Sequence, residues 1–187
     1  MRNIFYHGTL KTYAEDIVES GLQPAMEGER FYEEEIHRPG YAYVTNDEEK
    51  AWCWAGMAYK EVEKEIGSVR TIPVVVEIDE KCVRKKRKIE IDEIATENNF
   101  KIKNGVPKEC IIDISEKYSS DLLEEFDVQD IMWLVGEEGK FEDLTDMQLF
   151  NYGGRKRAKK LVEKGNSWNR NYGKYKDTWI VRCGLDD

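Results

Sequence analysis

The sequence predicts an α+β domain in which antiparallel strands are flanked by helices, and three observations carry the prediction. Short apolar runs such as Ile4-Phe5-Tyr6, Tyr41-Ala42-Tyr43-Val44-Thr45 and Ile72-Pro73-Val74-Val75-Val76 are bounded by turn-forming residues. Between them, apolar residues recur at three- and four-residue intervals, the period of a helix with one buried face. Residues 89–114 then alternate in short segments, which two or three antiparallel strands account for.

The elements follow in order. Ile4-Phe5-Tyr6 reads as a buried strand that ends at His7-Gly8-Thr9, so His7 sits at the strand's mouth and Gly8 lets the backbone come close to whatever lies there. A helix follows, with Thr12 and Glu15 as a capping box, Tyr13, Ala14, Ile17 and Val18 as its apolar face, and Gly21 as its stop. Residues 24–40, with Glu33-Glu34-Glu35, read as a surface loop, either a cover over a site or a solvated acidic connector; His37 lies in it. After the strand at 41–45, Asn46 to Glu49 supply an N-cap and acidic first-turn residues. The helix they start carries Ala51, Trp52, Ala55, Ala58, Tyr59, Val62 and Ile66 on one face, and the three alanines permit close packing on a sheet.

Val69 to Ile78 is the most β-rich run and is expected as a central strand entered at Pro73. Arg84-Lys85-Lys86-Arg87-Lys88 reads as a solvated turn or strand edge, with a phosphate or nucleic-acid contact as the alternative. Ile89-Glu90-Ile91, Phe100-Lys101-Ile102-Lys103 and Cys110-Ile111-Ile112-Asp113-Ile114 are the remaining strands. Beyond residue 115, helices are expected at 121–126, 143–150 and 155–164, then a polar aromatic loop from Gly165 to Lys176 and a terminal strand Trp179-Ile180-Val181. In this tail, basic residues alternate with Trp168, Tyr172 and Tyr175, a pattern able to engage nucleic acid. The other reading packs these aromatics into a core and leaves the lysines in water.

Composition narrows the classes. The chain has 187 residues, 40% hydrophobic and 36% charged, enough for one domain with a real core and an appended subdomain. A net charge of −9 argues against general adhesion to nucleic acid or anionic membranes. No segment approaches the roughly 20 apolar residues of a membrane span, and a signal peptide's apolar core is missing, so a cytoplasmic protein is expected. Cys53, Cys82, Cys110 and Cys183 are scattered without C-x-x-C spacing, which indicates neither a zinc ribbon nor a disulfide scaffold, and no metal is expected.

The order of motifs carries a resemblance. Tyr6-His7-Gly8-Thr9, a helix ending in Gly21-Leu22-Gln23-Pro24, then Tyr41-Ala42-Tyr43-Val44-Thr45 before a helix at Asp47-Glu48, resembles the N-terminal half of the ADP-ribosyltransferase superfamily. The branch is the diphtheria-toxin-like one with the His-Tyr signature, which includes poly-ADP-ribose polymerases, rifampicin-inactivating transferases and RNA 2′-phosphotransferases. The resemblance covers residues 4–66 closely and 67–114 loosely. It implies a split antiparallel sheet and an NAD-binding domain over residues 1–114, with residues 115–187 as an extension packed on it. It also implies that Gly8 presents backbone groups to the nicotinamide carboxamide, that His7 bonds one of the two riboses, and that Tyr43 stacks on the nicotinamide ring. Thr9 and Thr45 are then supporting donors.

The third motif departs from the pattern. Val106-Pro107-Lys108-Glu109-Cys110-Ile111 resembles a segment that in polymerase-like relatives follows a catalytic glutamate and its aromatic neighbour, and this register puts Phe100 at the aromatic place and Asn99 at the catalytic one. Asn99 is no carboxylate; Glu97 stands two residues away, and Glu124 and Glu125 before Phe126 are a distant alternative. What the resemblance implies is transfer of ADP-ribose from NAD to a protein, nucleic-acid or small-molecule acceptor. The alternatives are an RNA 2′-phosphotransferase and a catalytically silent nucleotide-binding or interaction module.

Overall fold

Each apolar run in the first part of the chain becomes a strand because its alternate residues find an apolar cover on one side. The computed structural model describes residues 3–25, 30–32, 35–36, 39–66, 71–92 and 98–185, with the backbone alone at 30–32, 35–36 and 66. In chain order the strands are β1 (Ile4–Leu10), β2 (Arg30–Tyr32), β3 (Glu35–Ile36), β4 (Tyr41–Thr45), β5 (Pro73–Asp79), β6 (Ile89–Ile91), β7 (Asn99–Lys103) and β8 (Ile111–Ser115). Six of them form one open antiparallel sheet in the order β6-β7-β4-β1-β5-β8, while β2 and β3 pair as a separate small hairpin. The expected loop at 24–40 therefore contains a hairpin; His37 lies outside the described residues. The chain divides into two compact units, residues 1–118 and 119–187.

Helices cover both faces of the sheet. On one, Phe5, Val44, Val74, Val76, Ile78 and Ile102 form a core with Ala14 and Ile17 of α1 (Lys11–Ser20) and Val83 of α3 (Glu80–Lys86). On the other lies α2 (Glu48–Ile66), which packs on β1 and β5. Helix α1 ends at Gly21 as its sequence requires, with φ at 87°. It begins one residue before Thr12, however, with Leu10 at the cap and no side-chain hydrogen bond, and Tyr13 and Val18 are exposed. The strand runs so directly into the helix that the backbone Lys11 N–H is taken by Ile72 O, at 2.9 Å, and no capping box forms.

The basic run is a correction. Arg84, Lys85 and Lys86 form the last turn of α3, started by the Asp79 carboxylate, which accepts the Cys82 N–H at 2.9 Å. Cations at that end oppose the partial negative charge of the helix terminus, so a segment that reads as a solvated edge is a well-charged short helix. A second correction concerns the cysteines. Cys82 of α3 is disulfide-bonded to Cys110, 28 residues on. Scattered spacing conceals such a pair because the sheet brings the two residues together. Closing a loop of this length is worth about 3 to 4 kcal/mol in the chain-entropy account. Disulfides persist in oxidising compartments and are reduced in most cytosols, so the state of this pair reports where the chain works.

The second unit is helical: α4 (Ser119–Glu138), α5 (Asp146–Asn151), α6 (Arg155–Arg170), α7 (Tyr172–Lys176) and α8 (Trp179–Arg182). Its core joins Leu122, Phe126, Val128, Ile131, Leu149, Leu161, Trp168 and Ile180. Helices α4 and α6 cross at Gly165, where an added Cβ would lie 2.6 Å from the Met132 sulfur. The expected aromatic loop is the end of α6 followed by α7, and the expected terminal strand is α8. Thr178 caps α8, and the buried Glu125 carboxylate accepts the N–H groups of Trp179 and Ile180 at 2.6 and 3.2 Å. Those bonds stabilise a helix start, so three apolar residues that would pass for a strand coil instead.

Candidate functional site

Alternation along each strand sorts the motif residues by face. Phe5 rests on Phe100, with ring centroids 5.0 Å apart, so β1 and β7 share that core face. Tyr6 and Gly8 of β1, Tyr43 and Thr45 of β4, and Asn99 and Lys101 of β7 therefore belong to the opposite face, the one α2 covers over β1. Registers confirm the arrangement: Tyr6 stands opposite Thr45, Thr45 opposite Asn99, and Tyr43 opposite Lys101. The strands bearing His7, Tyr43 and Asn99 are thus three neighbours, β1, β4 and β7, but His7, two residues from Phe5, alternates to the Phe5 face, opposite that of Tyr43 and Asn99.

The pairing between β1 and β4 is a single bridge, Tyr6 with Thr45. The next pairs along would be His7 with Val44 and Gly8 with Tyr43, and neither belongs to the ladder. Lys11 N–H donates to Ile72 O and Glu80 N–H to Asn3 O, which fixes the odd-numbered residues of β1 as those hydrogen-bonded to β5. The backbone N–H and C=O of Gly8 consequently face the β4 side, where the two strands part. His7 reaches across the parting: its Nδ1 lies 2.9 Å from Tyr43 O, and only a protonated Nδ1 can donate to that carbonyl. In the neutral ring Nε2 is then the acceptor nitrogen.

Gly8 has a packing reason to be glycine. A Cβ there would overlap Ala51 O and lie 2.7 Å from Ala55 N, so the α2 backbone rests directly on the strand. Thr9 is buried and lies on the Phe5 face. Thr45 is fully buried; its Oγ1 donates to Asn98 O at 2.9 Å and accepts the Asp47 N–H at 3.1 Å. Asn46 N–H also donates to Asn98 O. These two bonds hold Asn98 at φ 80°, a left-handed conformation that few residues other than glycine and asparagine adopt readily. The Thr45 contact thereby sets the start of β7 and the position of Asn99.

Asn99 is 2% exposed, and both its side-chain nitrogen and oxygen are buried without a hydrogen-bond partner among the described residues. Native proteins rarely leave both ends of an amide unsatisfied, since each such group costs about 1–3 kcal/mol. Glu97 lies outside the described residues. The other carboxylates considered from sequence have structural engagements: Glu124 binds Lys164 at 2.6 Å, and Glu125 caps α8.

Lys101 is the residue that sequence reasoning missed. In Phe100-Lys101-Ile102-Lys103 the two lysines look equivalent, yet Lys103 is exposed and Lys101 is 5% exposed. Its ammonium lies 3.9 Å from a Glu90 carboxylate oxygen and 5.8 Å from the centre of the Tyr41 ring. No feature of the alternation distinguishes the two positions.

A polar row crosses five strands on this face, Asp113, Glu77, Tyr6, Thr45 and Asn99 standing opposite one another in succession. Burial first, then Asp113 and Glu48, raise the Glu77 pKa, and burial followed by Glu48 and Glu77 raises that of the Tyr6 hydroxyl. Lys117 opposes both shifts; it binds Glu48 at 3.3 Å. A carboxyl with a raised folded pKa contributes stability at low pH that is lost as pH rises through that value. Glu77→Gln should therefore melt above the wild type at pH 7 and level with it at pH 3, and a lower melting temperature at pH 7 would show that the Glu77 charge is stabilising.

Among the described residues no group of three His, Cys, Asp or Glu side chains is placed to hold a metal ion, and no helix is long and apolar enough to cross a membrane. The sequence matches no protein-family model and no curated protein.

Proposed function

We propose that the first unit is an ADP-ribosyltransferase-like enzyme that binds NAD where β1 and β4 part and transfers ADP-ribose to an acceptor. The observation that carries the reading is the orphaned amide of Asn99, buried on the strand beside Tyr43, with His7 on the next strand of the same three. Gly8 turns its backbone groups to the parting, where a carboxamide would find both a donor and an acceptor. Tyr43 offers an aromatic surface, and Asn99 offers a donor and an acceptor to ribose hydroxyls. Nicotinamide leaves as a neutral group from a ribose that becomes oxocarbenium-like, and orientation of that ribose lowers the barrier. Glu97 is the nearest carboxylate in sequence to supply negative charge. The acceptor is a protein, a nucleic acid or a small molecule.

Buried Lys101 favours a second reading, transfer of an RNA 2′-phosphate to NAD, because that chemistry needs a cation at the phosphate. A silent NAD-binding module is the third. Nicotinamide release from NAD, measured with cell extract and with 2′-phosphorylated RNA as acceptors, separates them. The expected result is release with extract that falls about ten- to a hundredfold in His7→Ala, the loss of one oriented hydrogen bond. Release only with the RNA supports the second reading, and NAD binding without release the third. No NAD binding by calorimetry would overturn all three.

A further inference from the structure

We infer that Lys101 and Asn99 together form a subsite for a sugar phosphate, Lys101 holding the phosphate and Asn99 the hydroxyls of the sugar that carries it; the inference rests on the nucleotide-binding reading above. Lys101 is almost fully buried, yet no hydrogen bond to its ammonium lies within reach among the described residues. Glu90, at 3.9 Å, is beyond hydrogen-bond distance and lies closer to Lys88, at 2.8 Å. A lysine in that state has its stem buried and holds three strong donors at the site without a full partner. Two positions earlier on the same face, Asn99 keeps an amide N–H pair and a carbonyl buried and without a hydrogen-bond partner among the described residues. The Asn99 amide has already lost its water, so a ligand that meets it regains what burial cost, while the Lys101 ammonium offers a charge that no hydrogen bond to the described residues engages.

The donor set selects the chemistry. An ammonium is a compact point charge suited to a phosphate oxygen, and an amide with one donor and one acceptor end matches vicinal hydroxyls. Alternate residues of a strand stand roughly 7 Å apart along its axis, comparable with the separation between a ribose's ring hydroxyls and the phosphate on its 5′ carbon. Tyr43, opposite Lys101 in the register, flanks the subsite with an aromatic ring. A free inorganic anion would use Lys101 and leave Asn99 unsatisfied, which is why a sugar phosphate suits the pair better.

Calorimetric titration of the full chain with nicotinamide mononucleotide and with nicotinamide riboside tests this, since the two differ only in the phosphate. The mononucleotide should bind the wild type about ten- to a hundredfold more tightly, the usual strength of a charged hydrogen bond. Lys101→Met should remove that advantage and leave riboside affinity unchanged. Glu90→Gln, at a half-exposed edge where folding is not at risk, should tighten mononucleotide binding several-fold by removing the competing anion. Equal binding of both ligands to the wild type, or equal loss of both in a folded Lys101→Met protein, overturns the subsite and leaves the NAD reading standing. Binding of neither ligand also overturns the subsite, and the NAD titration alone decides the NAD reading.

Discussion

Replacing Asn99 with leucine should raise the melting temperature of the protein while removing most of its NAD turnover. The two side chains share one branched skeleton, and the asparagine amide is buried with neither end hydrogen-bonded among the described residues. Leucine keeps the branched skeleton and removes an unsatisfied polar pair, a gain of about 1–3 kcal/mol that outweighs the accommodation of its slightly larger methyls, or on the order of 5 °C in a domain of this size. The same exchange deletes the groups proposed to orient the ribose, and turnover should fall by about two orders of magnitude. Gain and loss in opposite directions mark a residue kept for function at the expense of stability. A differential scanning measurement that finds Asn99→Leu less stable than the wild type would show that the amide has a structural partner. Stabilisation with full turnover would remove Asn99 from the site. Asn99→Ala is the useful companion, because it opens a cavity and should lose stability and activity together.

Gly8→Ala should be among the most damaging single-methyl additions in the chain, costing about 3 kcal/mol or more. The added carbon would meet backbone atoms of α2, Ala51 O and Ala55 N, and a helix backbone cannot swing aside as a side-chain tip can. Relief requires the whole helix to lift from β1 and β5, with loss of the contacts of Ala51, Trp52 and Ala55, all of them fully buried. Urea unfolding monitored by tryptophan fluorescence reads the cost, and a midpoint close to that of the wild type would mean that α2 is not seated on the strand. This packing role stands beside the proposed ligand role of the Gly8 backbone. They concern different sides of the residue: its Cα faces the helix, and its N–H and C=O lie in the plane of the sheet, turned to β4.

Much of the architecture was legible because it depends on local chemistry. Pro73 opens β5, Gly21 ends α1, the acidic residues after Asn46 start α2, and Ala51 and Ala55 are small because a strand lies against them. Each is a statement about one segment and its own backbone. The nearness of His7 to Tyr43 could be suspected only from motif order, since the bond joins residues 36 apart. Errors came where a distant partner overrode local preference. Glu125 turns Trp179-Ile180-Val181 into a helix, whereas the helical basic run follows from a local signal, the Asp79 cap just before it.

The sequence by itself determined most strands of the sheet and the helices α1 and α2 between them, and which residues alternate to the same side, because periodicity is a property of neighbours along the chain. Only the tertiary structure decided that Lys101 is buried while Lys103 is not, that Cys82 meets Cys110, and that Asn99 stands two strands from Tyr6 in a polar row across the sheet. Alternation assigns a residue to a face but does not say what covers that face, and burial, pairing and charge environment all follow from the cover.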